Sequence, residues 1–272
     1  MSKICFIGSG NMAEAIIGGI LDANLFLKDD IIASDINLPR LNHIRESFEI
    51  QTCMNEPGVI READIVILSI KPQTLTEVMN ALSPFISSDA LIISILAGVS
   101  MKTIETHFPD ASAKPRIARI MPNLGAFIRK SVSAICFNDH IRDSDKSMVK
   151  SIFSSIGTVH VCREKDMDLV TAVSGSGPAY LFFFIEAFVE AAHSLGMTQE
   201  QALAFCLETL DGASELLLKK TDSPAKLREK VTSKGGTTEA AIRSLEKHQF
   251  KAIMKTAVEA ARNRSLELGK LC

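Results

Sequence analysis

Tryptophan is absent from the 272 residues, and tyrosine occurs once, at Tyr180. That excludes the Tyr-xxx-Lys acid pair of short-chain dehydrogenases, because Phe184 stands where the lysine would be. The six cysteines (Cys5, Cys53, Cys136, Cys162, Cys206, Cys272) form no CxxC and share no zinc-type spacing with histidine. Their spread reads as reduced thiols rather than as a disulfide framework or a metal site. No basic block occurs and the net charge is −2, so nothing favours nucleic acid or an anionic membrane as a partner. No charged-then-apolar leader opens the chain, which enters a strand pattern at "MSKICFIGSG". The most apolar runs are "LIISILAGV" (91–99) and "AYLFFFIEAFVEAA" (179–192). The first is too short to cross a bilayer and the second carries Glu186 and Glu190, so they read as a buried strand and a buried helix. The expected location is the cytoplasm.

Acid–base chemistry is also thinly represented. The six histidines (His43, His107, His140, His160, His193, His248) have no neighbouring acid in sequence that would make a relay, and His160 and His193 read as structural. "GSGPAY" lacks the strand–nucleophile–helix setting of a hydrolase elbow.

What is present is an ordinary globular composition, 46% apolar and 23% charged, in a chain long enough for two domains. Short β-branched runs at 3–7, 30–34, 65–70, 91–95, 116–121, 132–137 and 158–162 predict strands. Helical patterns near 12–25, 38–48 and 74–82 separate the first four, which makes this part a βα unit series around a largely parallel sheet. Beyond Cys162 the pattern is helical, with breaks expected at "SGSGP" (174–178), "GMT" (196–198), "TDSP" (221–224), "SKGG" (233–236) and near His248. The domains are therefore placed at 1–163 and 164–272. The helical segments "LFFFIEAFVEAA" and "ALAFCLETLDGASELLL" are apolar around too much of their circumference for surface helices, which predicts a homodimer or larger assembly built on the C-terminal domain.

"KICFIGSGNMAEAIIGGIL" places Gly8-x-Gly10-x-x-Ala13 after an apolar strand and before a helix. Gly8 permits the tight turn, Gly10 the close approach of a pyrophosphate, and Ala13 close packing of the helix on the sheet. The expected cofactor is a nicotinamide dinucleotide. Asp35 ends the second strand in "IIASDIN", where an acid accepts from ribose hydroxyls and repels a 2′-phosphate; Arg40 stands further on as a cation able to offset that. "LSIKPQ" (68–73) and "SILAGVS" (94–100) close later strands, at the end of the sheet where such ligands lie.

In the C-terminal half, "SGSGPAYLFF" and "TSKGGTTEAAIRSLE" each lead into a helix, the first with Pro178 at its opening and the second with Thr237 or Thr238 as the expected N-cap. Free backbone N–H groups and the hydroxyls of Thr232, Ser233, Thr237 and Thr238 make an uncharged cradle for a carboxylate.

Taken with "IKPQ", "SILAGVS", "RIMPNLGA", "VTAVSGSGPAYLFFFIEA" and "VTSKGGTTEAAI", the sequence resembles the pyrroline-5-carboxylate reductase family along nearly its whole length. The resemblance implies an α/β Rossmann-type dinucleotide-binding domain followed by an all-α dimerisation domain, assembled as a dimer or as a ring of five dimers. It implies reduction of 1-pyrroline-5-carboxylate to L-proline, the last step of proline biosynthesis, with NADPH or NADH. By position it carries cofactor contacts to Gly8, Ser9, Gly10, Asn11 and Met12, then to Asn55, Ser69, Lys71, Ala97 and Gly98, with Glu164 near the nicotinamide end. Ser233, Gly236, Thr237 and Thr238 would hold the substrate carboxylate, with "SGSGPA" as a pocket wall, and Thr238, the catalytic candidate, would bond the ring nitrogen or the carboxylate. One departure is Asp35, which lies where many members carry residues that receive a 2′-phosphate. The β-hydroxyacid dehydrogenases, which share the two-domain plan, use a lysine on the first long helix of the second domain; "PAYLFFFIEAFVEAAHSLG" has none.

Overall fold

A computed structural model describes residues 2–54, 56–108, 114–219 and 221–270. The chain falls into two compact units, Met1–Ser176 with Ala260–Cys272, and Gly177–Glu259.

The first unit holds an eight-stranded sheet in the order β3-β2-β1-β4-β5-β6-β7-β8. Its strands are β1 (Ile4–Ile7), β2 (Ile31–Ser34), β3 (Gln51–Cys53), β4 (Ile65–Leu68), β5 (Leu91–Ser94), β6 (Arg116–Met121), β7 (Ser131–Phe137) and β8 (Gly157–Val161). Every pairing is parallel except β6 with β7. The buried strands are continuous apolar runs because helices cover both faces of a parallel sheet. In β1 the alternation is still visible: Ile4 and Phe6 enter one core with Ile16, Ile17 and Ile20, while Cys5 and Ile7 enter the other with Leu75 and Met79.

Around the sheet run α1 (Asn11–Asp22), α2 (Leu38–Phe48), α3 (Pro57–Arg61), α4 (Leu75–Leu82), α5 (Met101–Glu105) and α6 (Asp143–Ser154). The predicted strands and the three predicted helices (α1, α2 and α4) are present, with most ends shifted by a residue or two, as expected where terminal turns and strand ends fray. One strand, β3, has no counterpart among those expected. It is short, polar and partly exposed at the sheet edge, so it carries no apolar run to announce it.

The second unit contains α8 (Gly177–Ser194), α9 (Gln199–Leu218), α10 (Pro224–Lys230), α11 (Thr237–Lys247) and most of α12 (Phe250–Leu268); the short α7 (Met167–Val170) precedes it in the first unit. Breaks fall where expected at 196–198, 221–224, 233–236 and His248. Thr198 and Gln201 form a reciprocal capping box at the start of α9, and Ser223 accepts from Lys226 N at the start of α10. The break expected at "SGSGP" is confined to one bend at Ser176, between a π-helical turn and the start of α8. The path is otherwise helical from Glu164 to Ser194, with the π-helical turn at Thr171–Gly175, in which Ser176 N donates to Thr171 O at 2.8 Å. Pro178 offers no N–H to the Ser174 carbonyl, and the Asn123 side-chain amide donates to that carbonyl instead at 3.2 Å. A wider turn plus a replacement donor limits the interruption to Ser176.

The helical unit has a small core of Val189, Ala202 and Cys206. By contrast Phe182 and Phe183 are 57% and 72% exposed, and Leu181, Phe184, Phe188, Phe205 and Ile253 are exposed with them. By length and composition the run Glu164–Ser194 is apolar enough to cross a membrane, yet only 11% of its most apolar window is buried within this chain. A face of this kind is completed by another surface.

Five cysteines, Cys5, Cys53, Cys136, Cys162 and Cys206, are free; Cys272 lies outside the described residues. Burial pushes the Cys5 and Cys136 thiols up to about 12, which keeps them protonated and unreactive.

Candidate active site

The chain reverses its direction of travel across the sheet at β1, whose neighbours are β2 and β4. In open α/β sheets the crevice at the strand carboxyl ends of such a point is the ligand site. Here it is a cavity of about 440 Å³ lined by Gly8, Gly10, Asp35, Ser69 and Lys71, with Ile36, Ile70 and Val78 as apolar walls.

Gly8 turns the chain at φ +94, and a Cβ there would meet the Ser69 carbonyl oxygen at 2.7 Å. Gly8 N donates to Ser34 O at 2.8 Å, and Ser69 Oγ donates to the Ile7 carbonyl at 3.1 Å, so the turn is fastened to both neighbouring strands. Gly10 is the N-cap of α1 and has no capping side chain; the first intrahelical bond is Glu14 N to Gly10 O. The N–H groups of Asn11, Met12 and Ala13 therefore lack partners within the helix and lie at the positive end of the helix dipole, next to Gly10 at the cavity edge. A Cβ on Gly10 would have nothing within 4 Å, which leaves room for a ligand to approach the backbone. These residues fit a pyrophosphate: a bare helix N-terminus, a clear approach and a fixed turn.

Asp35 faces the same cavity. Its carboxylate accepts from Ser9 N at 2.7 Å and from Asn37 N at 2.9 Å, joining the glycine turn to the loop after β2. Arg40 is not open to the cavity as the sequence allowed. Its Nε donates to Ser9 O and its terminal nitrogen pairs with the Glu14 carboxylate, which His43 Nε2 also meets at 3.0 Å. Burial raises the Glu14 pKa, but the hydrogen bonds from His43 and Arg40 outweigh it and the carboxyl titrates below its ordinary value. Sequence spacing gives no sign that His43 meets an acid, because Glu14 lies on another helix.

Lys71 caps the 3-10 turn Pro72–Thr74, and its side chain is exposed at the cavity. The other expected cofactor residues are placed differently. Asn55 lies outside the described residues. Ser9 is fully buried, its hydroxyl donating to Ser34 O. Gly98, at φ +80, lies beneath the C-terminal turn of α12, where a Cβ would clash with Ser265 O; Ala97 precedes it, half-buried. Glu164 accepts from Met101 N at 2.6 Å, so one carboxylate oxygen is committed to the start of α5.

Beneath that loop lies a charge cluster with no sequence warning. Arg119, on β6 and 4% exposed, sits 3.6 Å from Glu164 and 3.7 Å from Asp168, and Asp168 in turn accepts from Ser265 Oγ at 2.7 Å. This one cation gathers β6, the helix start at 164–168 and the end of α12.

In the helical unit, Thr237 and Thr238 are not the N-cap of α11. Gly236 is, and it offers no side chain. Glu239 reaches back to accept from Gly235 N at 2.7 Å, and it pairs with Arg243 at 3.0 Å. Thr237 and Thr238 are thus the first two helical residues, and neither hydroxyl has a hydrogen-bond partner among the described residues. Ser233 approaches closely, its Oγ lying where it would clash with a Cβ on Gly236.

A doubly wound sheet with a glycine turn, a bare helix N-terminus and an acid after the second strand defines a nicotinamide dinucleotide-dependent oxidoreductase. The family model described as pyrroline-5-carboxylate reductase dimerisation matches residues 164–268, and that described as NADP oxidoreductase coenzyme F420-dependent matches residues 3–98. The chain is 37% identical to pyrroline-5-carboxylate reductase 2 of Bacillus subtilis (strain 168), over 98% of this chain and 95% of that one. It is 38% identical to the pyrroline-5-carboxylate reductase of Methanosarcina acetivorans, with 98% of each covered. Among solved structures, the Plasmodium falciparum pyrroline carboxylate reductase with NADP bound superposes with a TM-score of 0.88 at 32% identity, covering 98% of each chain. The chain belongs to the pyrroline-5-carboxylate reductase family.

Proposed function

We propose that this protein reduces 1-pyrroline-5-carboxylate to L-proline with NADPH or NADH, closing proline biosynthesis. Family membership over the full length supports the reaction. The observation that carries the site is the start of α11, where two threonine hydroxyls and the leading N–H groups stand without partners in a chain that also builds a pyrophosphate cradle.

The substrate carboxylate is assigned to Ser233, Gly236, Thr237 and Thr238. An anion there is stabilised by the helix N-terminus and by hydroxyl donors that need no reorganisation. Gly8, Ser9, Gly10, Asn11 and Met12 are assigned to the coenzyme pyrophosphate, Asp35 to the ribose, and Asn55, Ser69, Lys71, Ala97, Gly98 and Glu164 to the remaining cofactor positions. When bound, the reduced nicotinamide supplies the hydride that adds to C5 of the imine, and the C=N π pair moves to nitrogen, which ends as a secondary amine. The imine enters protonated, so the protein's work is to orient the ring and to exclude alternatives rather than to donate a proton. Thr238 Oγ1 adds a hydrogen bond to the ring nitrogen or the carboxylate. No lysine occurs on α8 to act as an acid, in line with that account.

Thr238→Ala should lower kcat/KM for pyrroline-5-carboxylate by about 1–3 kcal/mol, roughly 5- to 150-fold, with both kcat and KM moving. Unchanged kinetics would remove Thr238 from the site. The overall reading is tested by following loss of reduced-nicotinamide absorbance with pyrroline-5-carboxylate; no oxidation with either coenzyme would sink it.

The protein self-associates, and the helical unit is the surface for it. An apolar groove of about 610 Å³ there is lined by Tyr180, Phe183, Phe184, Leu210, Phe250 and Ile253. The assembly is assigned as a dimer or a ring of five dimers in the cytoplasm, without nucleic acid or membrane partners, and the domains as 1–163 and 164–272. Sedimentation equilibrium at micromolar concentration should give a dimer or a multiple of it. A monomer would count against the assignment.

A further inference from the structure

Resting on the coenzyme site proposed above, the geometry points to NADH as the preferred coenzyme, with Asp35 as the specificity-determining residue and the Glu14–Arg40 pair as its support. A 2′-phosphate distinguishes NADPH by nearly two negative charges at the adenosine ribose, so discrimination is decided by the charges after β2. Asp35 cannot swing away from that position. Backbone N–H groups of Ser9 and Asn37 hold one oxygen each, at 2.7 and 2.9 Å.

The cation that follows β2 is already engaged. Arg40 commits Nε to the Ser9 carbonyl and a terminal nitrogen to Glu14, at a side-chain exposure of 22%. His43 approaches the other Glu14 oxygen at 3.0 Å and helps hold that carboxylate in its charged form. An arginine that receives a 2′-phosphate presents its planar fork to solvent; this one turns its fork to α1. Of the charged residues lining the cavity, Asp35 and Glu77 are acidic and Lys71 is basic, so the site offers a dianion no net positive charge. The ribose diol of NADH suits Asp35 directly, since a fixed carboxylate has lone pairs left for hydroxyl donors. The Plasmodium relative holds NADP; the preference inferred here follows from the residues of this chain.

The test is a pair of titrations on the full-length protein, following bound-coenzyme fluorescence for NADH and for NADPH, beside kcat/KM for each with pyrroline-5-carboxylate. The wild-type protein should favour NADH by about tenfold or more in Kd and in kcat/KM, because like charges are brought together in a partly buried site. Asp35→Ser should remove most of that ratio by improving NADPH. Asp35→Asn keeps one acceptor oxygen, enough for one of the two N–H groups, removes the charge and should shift the ratio the same way, which covers the case in which the serine variant fails to fold. Glu14→Gln, by loosening Arg40, should tighten NADPH. Tighter NADPH binding by the wild-type protein, or a ratio unmoved in both Asp35 variants, would overturn the inference. Loss of pyrroline-5-carboxylate reduction with the Kd ratio intact would instead overturn the substrate assignment and leave the coenzyme preference standing.

Discussion

Gly10→Ala should abolish most dinucleotide binding while leaving the melting temperature unchanged, and Gly8→Ala should damage both. The two glycines sit two residues apart and face different constraints. Gly10 has ordinary backbone angles, φ −66 and ψ −178, and a Cβ there touches nothing within 4 Å. The methyl group enters space that the folded chain leaves open, so only a ligand reaching for the N–H groups of Asn11 and Met12 meets it. Gly8 at φ +94 has no such freedom. Its added methyl would lie 2.7 Å from Ser69 O and 2.9 Å from Ile70 Cγ2, against backbone fastened into the sheet. Strain at a positive φ and overpacking together should cost about 2–4 kcal/mol of stability. Thermal melts and NADH titration on both variants separate the two effects. If Gly10→Ala binds coenzyme like the wild-type protein, the pyrophosphate does not lie at the start of α1.

Arg119→Met should be the most destabilising single change among the polar residues, by about 3–5 kcal/mol, because it strands two carboxylates around a buried site. Glu164 and Asp168 would both lose their cation, and the hydrogen bonds they make to Met101 N and Ser265 Oγ would have to hold them alone. The loss is read as a fall in the urea midpoint. The separations of 3.6 and 3.7 Å are ion-pair distances beyond hydrogen-bond reach, so this is attraction between charges rather than directed bonding. Asp168→Asn in the same background should recover part of the stability by deleting one stranded charge. A fall below about 1 kcal/mol would mean that solvent screens the cluster as it does a surface pair. Because Gly98 packs on the Ser265 turn, coenzyme affinity in Arg119→Met also reports whether the cluster holds that loop.

Much of the architecture is legible from local pattern. The turn from β1 into α1 needs a glycine that tolerates positive φ and a helix start without a side-chain cap, and both requirements are met between Gly8 and Asn11. The start of α9 is legible for the same reason, since Thr198 and Gln201 cap one another across a single turn. Two features of the helical half are not. The "SGSGP" segment has the composition of a loop, but Asn123, from the turn after β6, donates to the carbonyl that Pro178 leaves unpaired. Thr237 and Thr238 have the chemistry of N-caps, but Glu239 reaches back to the turn and leaves Gly236 in that role. In the first case a distant donor decides the outcome, and in the second a competing side chain.

Seven of the eight strands, the helices between the first of them and the dinucleotide turn were determined by the sequence alone, because each depends on period, cap or turn chemistry confined to a few neighbouring residues. Which charged side chains meet was decided only by the tertiary structure. Arg40 finds Glu14 at a separation of 26 residues, and Arg129 finds Asp22 at 107. Long side chains carry no local mark of their partners; packing of helices on the sheet brings them together, and burial then makes the pairing matter.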